Sequence, residues 1–165
     1  MAKSTIILIS TLCFLSFFGS VYCNDRFFVE GVVYCDTCRT QFITKLTEFM
    51  EGATVRMECK EDNGTVTFSK EAVTDASGTY RVEVDGDHED EVCEITLAKS
   101  PRKDCSEVDS DSHLEQAARI SITNNNGIVS PLRTANPLGF LKKERLPGCA
   151  DVLKDLGINE DGSLI

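Results

Sequence analysis

The 165-residue chain has no tryptophan, only two histidines and only four prolines. Each shortage removes a class of function. Tryptophan is the ring that most often stacks on sugar faces, so its absence argues against an enzyme with a polysaccharide cleft. The two histidines, His88 and His113, both sit in polar stretches and leave few candidates for a nucleophilic triad. There is also no Gly-x-Ser-x-Gly elbow downstream of the leader. Paired carboxylates could be drawn from the 27 acids anywhere in the chain, so a hydrolase built on surface carboxylates remains an alternative reading. Four prolines are too few for a proline-rich structural tract. Basic charge is scarce as well: 17 Lys and Arg stand against 27 Asp and Glu, a formal charge of −10. Such a balance repels phosphate backbones and argues against nucleic acid or an anionic membrane as the main partner.

Long apolar runs are missing beyond the start of the chain. The first residues carry Lys3 as their only charge, then an apolar stretch from Ile6 to Phe18, then Gly19 and Ser20, which is the layout of a secretory signal peptide. Cleavage after Cys23 puts Val21 and Cys23 at the positions the peptidase reads. A membrane anchor is the rival reading, but Ser10, Thr11 and Ser16 interrupt the run, which falls short of the roughly 20 residues a span needs. Removing residues 1–23 leaves residues 24–165 as one domain with a formal charge of −11, from 16 basic and 27 acidic residues. No membrane span is expected in this mature part. Of eight cysteines, Cys13 and Cys23 leave with the signal, and the remaining six read as three disulfides of an exported protein.

What the mature chain has in abundance is alternation with period two, the mark of strands with one buried face. Val55, Met57 and Cys59 face one way while Arg56 and Glu58 face the other. Asn63-Gly64 then signals a tight turn, and Val66 and Phe68 alternate on the return strand. Tyr80, Val82 and Val84 repeat the pattern, as do Cys93, Ile95 and Leu97, and later Ala118, Ile120 and Ile122. An earlier strand runs from about Phe27 to Tyr34. The expectation is an all-β protein, an antiparallel Greek-key barrel or sandwich of about seven strands. Two helical exceptions are read: Phe42, Leu46 and Phe49 recur at helical spacing, although Ile43 and Thr44 would also suit a strand, and Cys149, Val152, Leu153 and Leu156 fit a short C-terminal helix ended by Gly157.

The spacing Cys35-Asp36-Thr37-Cys38 invites a redox or a zinc reading. Zinc needs two more nearby ligands, which the sequence does not supply, and a redox pair wants a helix N-terminus after a buried parallel strand. Half-cystines of structural bridges are the preferred reading, and an extracellular redox protein using Cys35 and Cys38 is the alternative. The acidic run Asp85 to Glu91 lacks the sixth-position glycine of a calcium loop and has Thr96 where its twelfth-position carboxylate belongs, so it reads as a solvated hairpin loop. The run from Cys105 to His113 reads the same way. No metal site and no cofactor is expected. Asn63-Gly64-Thr65 is an acceptor for an N-linked glycan on a hairpin tip. Two basic islands stand out as a candidate partner-binding surface: Lys99, Arg102 and Lys103, and then Lys142, Lys143 and Arg145.

A bridge between Cys35 and Cys38 would strain a short loop and constrain little unfolded chain, so both should reach distant partners. Cys59 and Cys93 lie on the apolar sides of their strands and suit each other. That leaves Cys35 and Cys38 for Cys105 and Cys149, in either combination.

The run Glu30-Gly31-Val32-Val33-Tyr34-Cys35-Asp36-Thr37-Cys38-Arg39 resembles the signature of the pollen allergen Ole e I and extensin family. The similarity continues through Glu51-Gly52-Ala53, Cys93-Glu94-Ile95-Thr96-Leu97, Arg102-Lys103-Asp104-Cys105 and Asn136-Pro137-Leu138-Gly139-Phe140 to Cys149. The resemblance implies a secreted plant protein with a Greek-key barrel or sandwich, no established catalytic residue and a role in pollen hydration and tube growth. It also favours pairing Cys35 with Cys105 and Cys38 with Cys149. Asn126-Gly127-Ile128 is not a sequon where some relatives carry their glycan, and the proline repeats of longer relatives are missing. The expected protein is therefore a non-enzymatic extracellular or wall-associated ligand. Its expected partner is an extracellular protein, a cell-wall component or a cell-surface receptor.

Overall fold

The computed structural model describes residues 25–108 and 117–159. The predicted leader and the part of the second acidic run that holds His113 lie outside the described residues. Among the described residues, ten strands and one helix follow in chain order: β1 (Arg26–Asp36), β2 (Glu48–Phe49), β3 (Thr54–Lys60), β4 (Val66–Val73), β5 (Thr79–Asp85), β6 (Val92–Lys99), β7 (Cys105–Glu107), β8 (Ala117–Ile120), β9 (Leu132–Thr134), β10 (Leu138–Lys142) and α1 (Cys149–Asp155). Seven of these strands have four residues or more.

β1 organises the first sheet. Its first part lies between β5, antiparallel, and β9, parallel. Its last residues lie between β2, antiparallel, and β10, parallel, and β7 extends the sheet beyond β10. The second sheet runs β4-β3-β6-β8 and is antiparallel throughout. The alternating apolar faces meet between the sheets. Phe27 and Val29 of β1, Val55 and Met57 of β3, Tyr80, Val82 and Val84 of β5, Ile95 of β6 and Phe140 of β10 form one buried cluster. This is the sandwich the alternation implies. The two parallel pairings depart from the expected all-antiparallel sheet. Parallel neighbours need a long crossover, and most of the chain separates β1 from β9 and β10.

Two glycines of the stretches that carry the resemblance have a packing reason. Gly31 faces Tyr80 and Gly139 faces Tyr34 in register. A Cβ at Gly31 would lie 2.4 Å from the Tyr80 hydroxyl, and one at Gly139 would lie 2.6 Å from Cζ of Tyr34. Each tyrosine ring lies over the bare backbone across from it. Burial, and next to it the charge of Asp36, push the Tyr34 hydroxyl up to about 12.

Two sequence expectations change. Residues 42–49 form no helix: Phe42 and Phe49 are 39% and 51% exposed, so their helical spacing buries no shared face. The segment is bent instead by left-handed backbone at Arg39 and Gln41 and drawn onto β1 through Glu48 and Phe49. On β4, Val66 is 46% exposed, because β4 is an edge strand whose alternation meets the core only at Phe68 and Ala72. The C-terminal helix does form over Cys149–Asp155. It ends where the amides of Gly157 and Ile158 turn back to the carbonyls of Lys154 and Leu153, at 3.0 and 2.9 Å, as in a Schellman motif.

Candidate functional site

The C-terminal end of β1 is tied to distant parts of the chain. Cys35 bridges Cys105 at the start of β7, and Cys38 bridges Cys149 at the start of α1, across separations of 70 and 111 residues. Cys59 bridges Cys93 across β3 and β6. Cys35 and Cys38 thus belong to different bridges, and their spacing holds no dithiol pair. Between them Asp36, 1% exposed, accepts hydrogen bonds from the amides of Cys38, Thr40 and Gln41 at 3.2, 2.7 and 2.6 Å. A short acidic side chain here satisfies three amides that a sharp exit from the strand leaves unpaired. The Thr37 hydroxyl donates to the Leu46 carbonyl at 2.9 Å, and the Thr37 carbonyl accepts from the Leu146 amide at 3.1 Å. Both neighbouring loops are therefore fastened to the same strand end.

This fastening brings the two basic islands together. Arg102 donates to Asp104 through Nε and Nη2 at 3.1 and 2.7 Å, and Lys142 pairs with the same carboxylate. The Lys143 amide donates to the Asp104 carbonyl at 2.9 Å, while Arg102 also reaches Glu48 on β2. Beside them Arg39 donates to Glu107 and to the Lys142 carbonyl, both at 2.7 Å. Arg102 first, then Lys142, hold the Asp104 carboxyl well below the usual carboxylate range. Asp104 first, then Glu48, raise Arg102 in return.

Exposed ion pairs of this kind stabilise a fold by only about 0–1 kcal/mol each. Their effect here is geometric: they fix the direction of three cations and leave the exposed Lys99, Lys103, Lys143 and Arg145 along the same two segments. A locally positive surface on an acidic protein steers oppositely charged partners toward one orientation.

The remaining predicted residues lie apart. Asn63 is exposed in the turn between β3 and β4, with its Oδ1 accepting from the Thr65 amide at 2.7 Å. In the first acidic run Asp87 accepts from the Glu89 amide at 2.9 Å and from the Thr123 hydroxyl at 3.0 Å. It closes a turn and ties it to a neighbouring loop. His88, in a run that reads as solvated, is instead packed edge-on against Phe68, with ring centroids 5.7 Å apart. No spacing in the sequence signals this, since its neighbours come from β3, β4 and β6.

Fold and staples together define a small, three-bridge β-sandwich protein with a cluster of charged side chains at one strand end. A family profile described as "Pollen protein Ole e 1 like" matches residues 25–157, and the chain belongs to that family. It is 59% identical over 162 residues, 98% of each chain, to the Olee1-like protein of Betula pendula. It is 49% identical over 160 residues to the anther-specific protein LAT52 of Solanum lycopersicum, covering 96% of this chain and 97% of that one. In structure it resembles the major plantain pollen allergen Pla l 1, with a TM-score of 0.67 and 40% identity over 75% of this chain and 99% of that one.

Proposed function

We propose that this protein is secreted and acts without catalysis in pollen hydration and tube growth, by binding an extracellular protein, a wall component or a cell-surface receptor. Its relatives bear names from pollen and anther, which supports the setting. The single observation that carries the mode of action is the convergence of two sequence-distant basic segments on Asp104, at a strand end held by two disulfides. An arrangement so fixed is suited to recognition, because little side-chain freedom is left to be lost on binding. The three bridges fit an oxidising compartment. Asn63, exposed on its turn, is the acceptor for an N-linked glycan.

The test is made in germinating pollen. Antibody raised against the folded protein should label the space outside the plasma membrane, and depleting the transcript should slow hydration and tube extension. Added folded protein should restore growth, whereas protein reduced and alkylated beforehand should not. Retention inside the cell, or normal growth after depletion, contradicts the reading.

A further inference from the structure

His88 is out of place for a loop histidine. Its side chain is 10% exposed, and its Nδ1 is hydrogen-bonded to Glu91 at 2.9 Å, a carboxylate that the Thr67 hydroxyl also holds. A carboxylate only accepts, so Nδ1 carries the proton, and in the neutral imidazole Nε2 carries a lone pair. That Nε2 is buried and has no hydrogen-bond partner among the described residues. A ring nitrogen of His88 and the sulfurs of Cys59 and Cys93 all lie within 4.8 Å of one another. Cys59 and Cys93 are direct cross-strand neighbours, with Cα atoms 4.0 Å apart. A cleft of about 320 Å³, lined in part by His88, Glu91 and Cys93, opens from the surface beside Cys93, while Cys59 lies buried behind it.

The disulfide sulfurs beside this nitrogen carry no hydrogen to donate to it in the bridged state. They can satisfy it once they are released. Two thiolates and an imidazole backed by a carboxylate are the donor set and outer-shell partner of zinc sites, with sulfur and nitrogen at about 2.3 and 2.0 Å from the metal. We propose that Cys59, Cys93 and Nε2 of His88 form a redox-gated metal site, closed by the disulfide and opened by a dithiol to take one zinc-like divalent ion. In the opening step the dithiol gives two electrons and two protons. Its own sulfurs join as a disulfide, the Cys59–Cys93 bond breaks, and two thiols result. The metal ion then displaces both thiol protons to solvent and binds two thiolates and the imidazole, its fourth position facing the cleft. The same three groups look unrelated in the sequence, because only the β3–β6 register and the return of the acidic loop bring them together.

Cobalt(II) is the probe, since tetrahedral thiolate binding gives it sulfur-to-metal charge-transfer and intense visible bands. After treatment of the folded protein with a dithiol and its removal, one equivalent of cobalt(II) should produce these bands, and zinc(II) should bleach them. His88→Gln should weaken cobalt binding about tenfold or more, and Cys59→Ser with Cys93→Ser should abolish it while leaving the other four cysteines in place. Zinc-protected alkylation, mapped peptide by peptide on the unaltered chain, gives an answer independent of variant folding: Cys59 and Cys93 should be shielded and the others not. Bands that survive in the double variant, equal affinity with His88→Gln, labelling of Cys59 and Cys93 in the presence of zinc, or a bridge that opens only when the chain unfolds would each overturn the proposal.

Discussion

Asp104 shows how one side chain joins segments that the sequence keeps apart. Its carboxyl is held low by Arg102 and then Lys142, so the folded protein takes up this proton at a lower pH than the unfolded chain, where the value is about 3.9. The contribution to stability is therefore present above the unfolded value and is lost as pH falls through the folded one. Asp104→Asn should flatten the acid limb of stability, read as urea midpoints from about pH 6 down to about pH 2, with little change near neutrality in the slope against pH. An acid limb identical to that of the unaltered protein would show that the network is not formed in solution. The two basic islands were legible as charge against an acidic background, yet Asp104 stands in the sequence as a plain spacer before Cys105. Asp36 was equally silent between Cys35 and Thr37, because its role is to accept from three amides that only the folded turn presents together.

Among the elements, the strands with strict alternation were legible because each has one face in the core, as in Val55-Met57-Cys59 and Tyr80-Val82-Val84. The same rule places Cys59 and Cys93 on inward faces, where the β3–β6 register sets them opposite one another. Which of Cys35 and Cys38 meets Cys105 was not open to such reasoning, since it depends on the parallel pairing of β1 with β10. Phe42, Leu46 and Phe49 misled because helical spacing counts residues and says nothing of what they face. Turns separate the elements, and two of them can be compared. Gly64 has φ of 85° with open space around the Cβ position, whereas Gly78 has φ of 76° and a Cβ there would meet the Val33 carbonyl oxygen at 2.8 Å and Cβ of Phe49 at 2.9 Å. Gly64→Ala should cost about 1 kcal/mol, the strain of left-handed backbone alone. Gly78→Ala adds a collision with the β1–β2 region and should cost roughly 2–4 kcal/mol. Equal losses in denaturant melts would mean that the β4–β5 turn is not packed against β1 as described.

At the scale of the whole molecule, one strand receives four others, and two disulfides leave its end for β7 and α1. In the chain-entropy account a bridge such as Cys38–Cys149, closing more than 100 residues, is worth about 4–5 kcal/mol less any native strain. An acidic surface does not oppose that frame, and the class of fold was legible from alternation, cysteine count and turn chemistry together. The basic face was legible only as two separate islands, because charge patterning carries no register. The central claim is that this face makes the encounter with an extracellular partner. It is tested most directly by capture from the wall and surface proteins of germinating pollen, comparing the folded protein with two charge-reversal variants over a salt series. Lys103→Glu with Lys143→Glu leaves the Arg102–Asp104–Lys142 contacts in place and should lower capture several-fold and flatten its dependence on salt. Arg56→Glu with Lys70→Glu, which changes charge equally on the β3–β4 hairpin, should leave both unchanged. If the two variants capture the same partner equally well, with the same salt slope as the unaltered protein, the face on Asp104 is not where this protein binds.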